Sequence, residues 1–144
     1  IRALGYYKRY VTDPSDGKEI LISVRRFICG SCVITISFLP AFCLPHRLVD
    51  SFSLSAFLLG ALKSKVTLRY HNLLRSYKRR FAAWLPRLSQ AIGWAYGRAP
   101  PVDDTQAWVL FLQHTFGSLA EATKVMVKKH RITLLGTYRC HQTR

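Results

Sequence analysis

Acidic side chains are scarce in this chain. Only 7 Asp and Glu stand among 144 residues, against 22 Lys and Arg, for a formal net charge of +15. That scarcity argues against metal-dependent phosphoryl transfer, which needs several carboxylates on separate core elements converging on metal. The acids are Asp13, Asp16, Glu19, Asp50, Asp103, Asp104 and Glu121. The first three fall in or beside a turn cluster, and Asp103 and Asp104 are placed to cap a helix. We therefore expect a protein that is not an enzyme. Paired histidine spacing is missing too: the five histidines show no His-x3-His arrangement. Four cysteines, three close together and one near the end, do not make a secreted disulfide framework, and they favour a reducing cytoplasm. No apolar stretch follows the polar and basic first residues, so no secretory signal is visible. The chain begins at Ile1 and its one methionine is Met126, which reads as a fragment or a truncated reading frame. It has no internal repeat.

What the chain does have is apolar content and positive charge. Hydrophobic residues make up 49% and aromatics 12%, enough to bury a core in one ordinary domain or two small ones. The surplus charge creates a field that attracts polyanions, nucleic acid first and anionic membrane second. Residues 27–45 carry no charge, and that run approaches spanning length. It also contains Gly30, Pro40, Pro45 and alternating Ser and Thr, which suits a strand plus an extended segment better than a membrane helix.

Periodicity divides the chain into a β part and a helical part. Residues 6–11 and 19–28 read as two strands of a hairpin around the turn residues Asp13, Pro14, Ser15, Asp16 and Gly17. Residues 33–39 read as a third strand. Apolar residues at helical spacing follow over 48–62, with Thr67 placed to cap the next helix. That helix carries the stripe Tyr70, Leu73, Leu74, Tyr77 and Phe81, and Pro86 interrupts it, a helix restarting there holding Pro86 in its first turn. Residues 97–101 form a linker. A helix then starts near Asp104 and ends at Gly117, and Ser118 with Glu121 makes a capping box for a last helix over 119–130. The tail from Arg131 is expected to fray. The expectation is an α+β chain: a small three-stranded zinc-ribbon-like sheet over 1–46, a basic helical unit over 47–97, a helical pair over 102–131 and a basic tail over 132–144.

The sharpest local motif is Cys29-Gly30-Ser31-Cys32. Two cysteines around a glycine-containing turn aim both sulfurs at one point, and Zn2+ needs four such donors in a tetrahedron. A redox pair sits at a helix N-terminus after a strand, whereas this pair lies between two expected strands. The zinc half-site is the preferred reading; a redox pair and cysteines without metal stay open. Cys43 and His46 would close a Cys3His site within the chain as a second possibility, although Pro45 and the apolar surroundings suit packing equally well.

Further residues carry a family resemblance: Gly5-Tyr6-Tyr7-Lys8-Arg9, Arg25-Arg26-Phe27-Ile28 leading into the Cys-x-x-Cys, Phe38-Leu39-Pro40, Leu44-Pro45-His46-Arg47, Arg79-Arg80-Phe81 and Leu85-Pro86. With these the chain resembles a bacterial family of transposase-like zinc-ribbon and helix-turn-helix proteins of unknown function, over residues 1–85. The resemblance implies that Cys29 and Cys32 are the second half of a four-cysteine site whose first half lies upstream of Ile1. It also implies association with a mobile element, and a transposase as a partner.

The DNA-contacting candidates are Arg69, Asn72, Arg75, Lys78, Arg79 and Arg80. Arg and Lys meet phosphates, and Asn72 or Arg75 can reach a base edge. A second cluster (Lys124, Lys128, Lys129, His130 and Arg131) also suits a helix C-terminus and says less. The leading expectation is a non-catalytic DNA-binding protein with structural zinc. The alternatives are an interaction module without a working metal site and a small basic membrane-associated protein.

Overall fold

A computed structural model describes residues 1–33, 35–44, 47–61, 65–92 and 95–137. The chain is α+β. Three antiparallel strands, β1 (Arg2–Thr12), β2 (Glu19–Ile28) and β3 (Thr35–Phe38), form one sheet in the order β1-β2-β3. Helices α1 (Ser51–Leu58), α2 (Lys65–Arg69), α3 (His71–Ile92), α4 (Thr105–Phe116) and α5 (Leu119–Val125) follow, and a two-stranded ribbon, β4 (Ile132–Thr133) and β5 (Gly136–Thr137), comes last.

The hairpin follows from its turn chemistry. Asp13 accepts from the Ser15 and Gly17 amides, both at 2.8 Å, through its side chain and its carbonyl respectively. Gly17 has a φ of 73°, and a Cβ there would lie 2.5 Å from Val66 Cγ2, so glycine is required both for the backbone and for the approach of α2. The first strand runs further back than expected, to Arg2, through a bulge between Ala3 and Gly5. The third is shorter than expected. Val33 adopts a φ of 58°, which a β-branched residue in a strand cannot hold, and pairing begins only at Thr35.

Period-2 alternation gives the sheet two unlike faces. Val11 and Val24 on the inner face are fully buried, while Tyr6, Lys8, Tyr10, Ser23 and Arg25 on the outer face are exposed. The sheet is tied to the helices near its turn. The Thr12 amide donates to the Leu48 carbonyl at 2.9 Å. The Thr12 hydroxyl donates to Asp50 Oδ2 at 2.6 Å and accepts from the Asp50 amide at 2.8 Å. The Arg9 guanidinium reaches the Leu44 and Arg47 carbonyls.

Asp50 explains why α1 starts at Ser51 rather than at residue 48: its Oδ1 accepts from the Ser53 amide at 2.8 Å, a side-chain cap. Thr67 does not cap a helix. It lies inside α2 and is buried. Pro86 likewise does not restart a helix, because α3 runs through it. Pro86 is exposed, and Leu85 and Leu88 beside it are fully buried. Burying each such leucine contributes about 2 kcal/mol, which helps offset the hydrogen bond proline cannot make.

One core unites the helices. Leu54, Phe57 and Leu58 of α1, Leu74 and Phe81 of α3, Trp108 of α4 and Ala122 of α5 belong to a single buried cluster. The stretches 47–97 and 102–131 thus share one interior. Asp104 caps α4 through the Ala107 amide at 2.8 Å, and Gly117 closes it at a φ of 84°. Ser118 caps α5 through the Glu121 amide at 3.1 Å. Glu121 turns instead to Lys124, and the helix widens into a π turn over Met126–His130. After Arg131 the chain forms the β4-β5 ribbon, with Leu134 and Leu135 buried against the core. Those two apolar residues, overlooked beside the surrounding charge, hold it in place.

Candidate nucleic-acid interface

Cys29 and Cys32 sit in the turn between β2 and β3, Cys29 partly buried and Cys32 exposed. The turn closes with the Val33 amide donating to the Cys29 carbonyl at 2.9 Å. Hydrogen bonding from the Cys32 amide, helped by the Cys32 thiol and the Ser31 amide, lowers the Cys29 pKa to about 7. Such amides favour a thiolate, which suits a metal ligand and a reactive thiol equally. Two donors are half of what a structural zinc takes. Among the described residues no three His, Cys, Asp or Glu side chains gather as a metal site. Cys43 is buried, and burial foremost pushes its thiol pKa up, with Asp50 adding and Arg9 opposing. His46 lies outside the described residues, as does Cys140.

The basic candidates separate into three groups. Arg69 ends α2, two residues before α3 begins. It pairs with Glu19 at 3.4 Å and lies over the Tyr70 ring, while the Tyr70 hydroxyl donates to the same carboxylate. Burial first, and that hydrogen bond second, push the Tyr70 pKa up. Arg69 therefore braces the sheet against the helices. Lys78 stands apart too, lining a shallow pocket with Asp103 and Asp104 at the start of α4.

The remaining candidates do share a surface. Leu74, Tyr77, Phe81, Leu85, Leu88 and Ile92 form the buried stripe of α3. Asn72, Arg75, Arg79 and Arg80 are exposed away from it. None of these arginines has an ion-pair partner among the described residues. Arg87, also exposed, extends the row along the helix. It was legible as i+7 from Arg80, but only if the helix is read through Pro86. At 1.5 Å per residue, Asn72 to Arg87 spans about 22 Å.

Sequence reasoning also overlooked the outer face of the sheet. Tyr6, Arg25 and Phe38 stand in one cross-strand row, and Phe27 and Ile36 pair in the next. Arg25 lies 5.8 Å from the Tyr6 ring centroid and 5.0 Å from that of Phe27. Phe27 and Phe38 meet edge to face at 5.2 Å. The signal was present as alternate positions Tyr6, Lys8 and Tyr10, but alternation alone does not say which face the helices cover.

His114 on α4 is exposed. Trp108 is buried and donates to the Pro101 carbonyl at 3.0 Å. Among the described residues no helix is long and apolar enough to cross a membrane. Comparison with known proteins gave no match: no family, no curated protein and no solved structure corresponds to this chain.

Proposed function

We propose that this chain is a non-catalytic DNA-binding protein whose duplex contacts run along the exposed row Asn72, Arg75, Arg79, Arg80 and Arg87 of α3. The observation that carries this reading is the row itself: four arginines on a rigid helix, without a carboxylate partner among the described residues. Surface cations on ordinary helices gain from i±4 acids, and here none is supplied. Arg forks suit phosphate oxygens, and Asn72 in the first turn is suited to an adenine edge. A mobile-element setting with a transposase as partner belongs to the same proposal and rests on the resemblance alone, and a cytoplasmic location rests on the cysteine pattern.

Zinc enters only as a brace. Cys29 and Cys32 would hold half of a structural site, with its other donors drawn from outside the described residues, and no DNA contact depends on it.

The test is a duplex-binding titration against salt. Affinity should fall log-linearly with salt, and Arg79→Gln with Arg80→Gln should flatten the slope by about 1 per phosphate contact removed. A slope unchanged in the double variant, with folding intact, defeats the reading.

A further inference from the structure

Beyond the α3 row, we propose that the outer face of the β1-β2-β3 sheet is a stacking platform for single-stranded DNA. The inference rests on the DNA-binding reading for its choice of polymer, and on a different set of residues for its site.

Large side chains clustered on a sheet face that the described residues leave exposed mark a surface for interaction. Tyr6 and Phe38 are each 66% exposed and Tyr10 is 56% exposed. These are ring systems, and they are interleaved with Lys8 and Arg25 on the same face. Nucleobases stack on aromatic side chains whatever their sequence, while neighbouring cations follow the backbone phosphates. A duplex hides the faces of its bases, so only an unpaired strand can use exposed rings in this way.

Charge says which kind of partner fits. Of the seven acids, Asp13 and Asp16 lie in the hairpin turn, and Glu19 is engaged by Arg69 and Tyr70. Asp50 is buried, Asp103 and Asp104 precede α4, and Glu121 is paired with Lys124. No carboxylate pairs with Lys8 or Arg25 among the described residues. At the β3 side Phe38 also lines a cleft of about 420 Å³, together with Lys124, Val127 and Lys128. A strand laid over Tyr6 and Phe38 would thus meet Lys8 and Arg25 on the face itself, with Lys128 in the cleft that Phe38 lines. A second copy of this chain would bring the same positive charge to the same face, and a self-associated face would be repelled.

Fluorescence anisotropy with labelled oligo(dT), a matched duplex and oligo(U) tests this on the full chain. Tyr6→Ala with Phe38→Ala should weaken oligo(dT) about tenfold or more while leaving duplex affinity within about twofold. Phe38→Leu should lose binding as Phe38→Ala does, and Tyr6→Phe should keep it, because the ring and not its hydrophobic area carries the contact. Arg79→Gln with Arg80→Gln should show the opposite selectivity, weakening duplex more than oligo(dT). Retained folding is checked by circular dichroism, and these exposed positions leave the core untouched. Unchanged oligo(dT) affinity in the double alanine variant overturns the proposal while the α3 reading stands. Tighter binding of oligo(U) than oligo(dT), or a dimer in sedimentation that the alanine variants dissociate, overturns it as well.

Discussion

In the helical part, Phe81, Tyr77 and Trp108 are almost wholly removed from solvent, whereas in the sheet Tyr6, Tyr10 and Phe38 stand more than half exposed. The two regions have the same residue classes and put them to opposite use. Along α3 the 3.6-residue period gathers Leu74, Tyr77, Phe81, Leu85 and Leu88 into one stripe, which belongs to the buried cluster shared with the other helices. In the hairpin the period of two splits the apolar residues between faces. The inner face is buried at Val11 and Val24, and the sheet is fastened near its turn by Thr12, Asp50 and Glu19. Stability is thereby concentrated in the bundle and at that seam, and the exposed aromatic and basic side chains are left on the outer sheet face and the open side of α3.

The largest effect that would sharpen this contrast comes from the core. Phe81→Ala should destabilise by about 3–5 kcal/mol in denaturant unfolding, while Leu21→Thr on the outer sheet face should change stability by no more than about 0.5 kcal/mol. Equal losses at the two sites would erase the distinction. Next comes the seam. Asp50→Ala removes the α1 cap and leaves the Thr12 hydroxyl without its acceptor, and we expect about 3 kcal/mol from the two losses together. Hydrogen exchange should then show the hairpin amides opening before those of α3.

Gly17→Ala is expected to cost about 2 kcal/mol, from the positive φ and from the collision with Val66. Calorimetry would read it as a lowered Tm. Val33→Gly has the opposite sign. It relieves a left-handed β-branched residue in an exposed turn and should stabilise by about 1 kcal/mol. The smallest expected effect on stability is at Cys29. Because its pKa is lowered to about 7, its alkylation by iodoacetamide should slow about tenfold from pH 8 to pH 6, as the thiolate is protonated. Buried Cys43 should stay nearly inert throughout. A Cys29 rate that rises only above pH 8 would remove the amide contacts from the account.

Much of the architecture was readable from residue pattern. The hairpin, its turn and the bounds of β2 followed from alternation around Asp13, Pro14 and Gly17. The last two helices followed from Asp104, Gly117 and Ser118. The misreadings have separate physical causes. Thr67 looks like a cap, but α2 had already begun at Lys65. Pro86 looks like a break, yet buried leucines around it keep α3 whole. Residues 132–137 look like the start of a charged tail, yet they form the β4-β5 ribbon, with Leu134 and Leu135 buried. The α3 arginines were visible, but Arg69 and Lys78 could not be told from them, because Glu19, which pairs with Arg69, and Asp103 and Asp104, which line a pocket with Lys78, are distant in sequence.

Charge surplus, the α+β order, turn positions and the apolar stripe of α3 are properties of local spacing and composition, so the amino-acid order by itself determined them. Tertiary structure alone decided which face of the sheet stays open, which cations find a carboxylate and whether a proline ends a helix. Each of those outcomes depends on groups that are remote along the chain, brought together only when the core closes, and no local period encodes them.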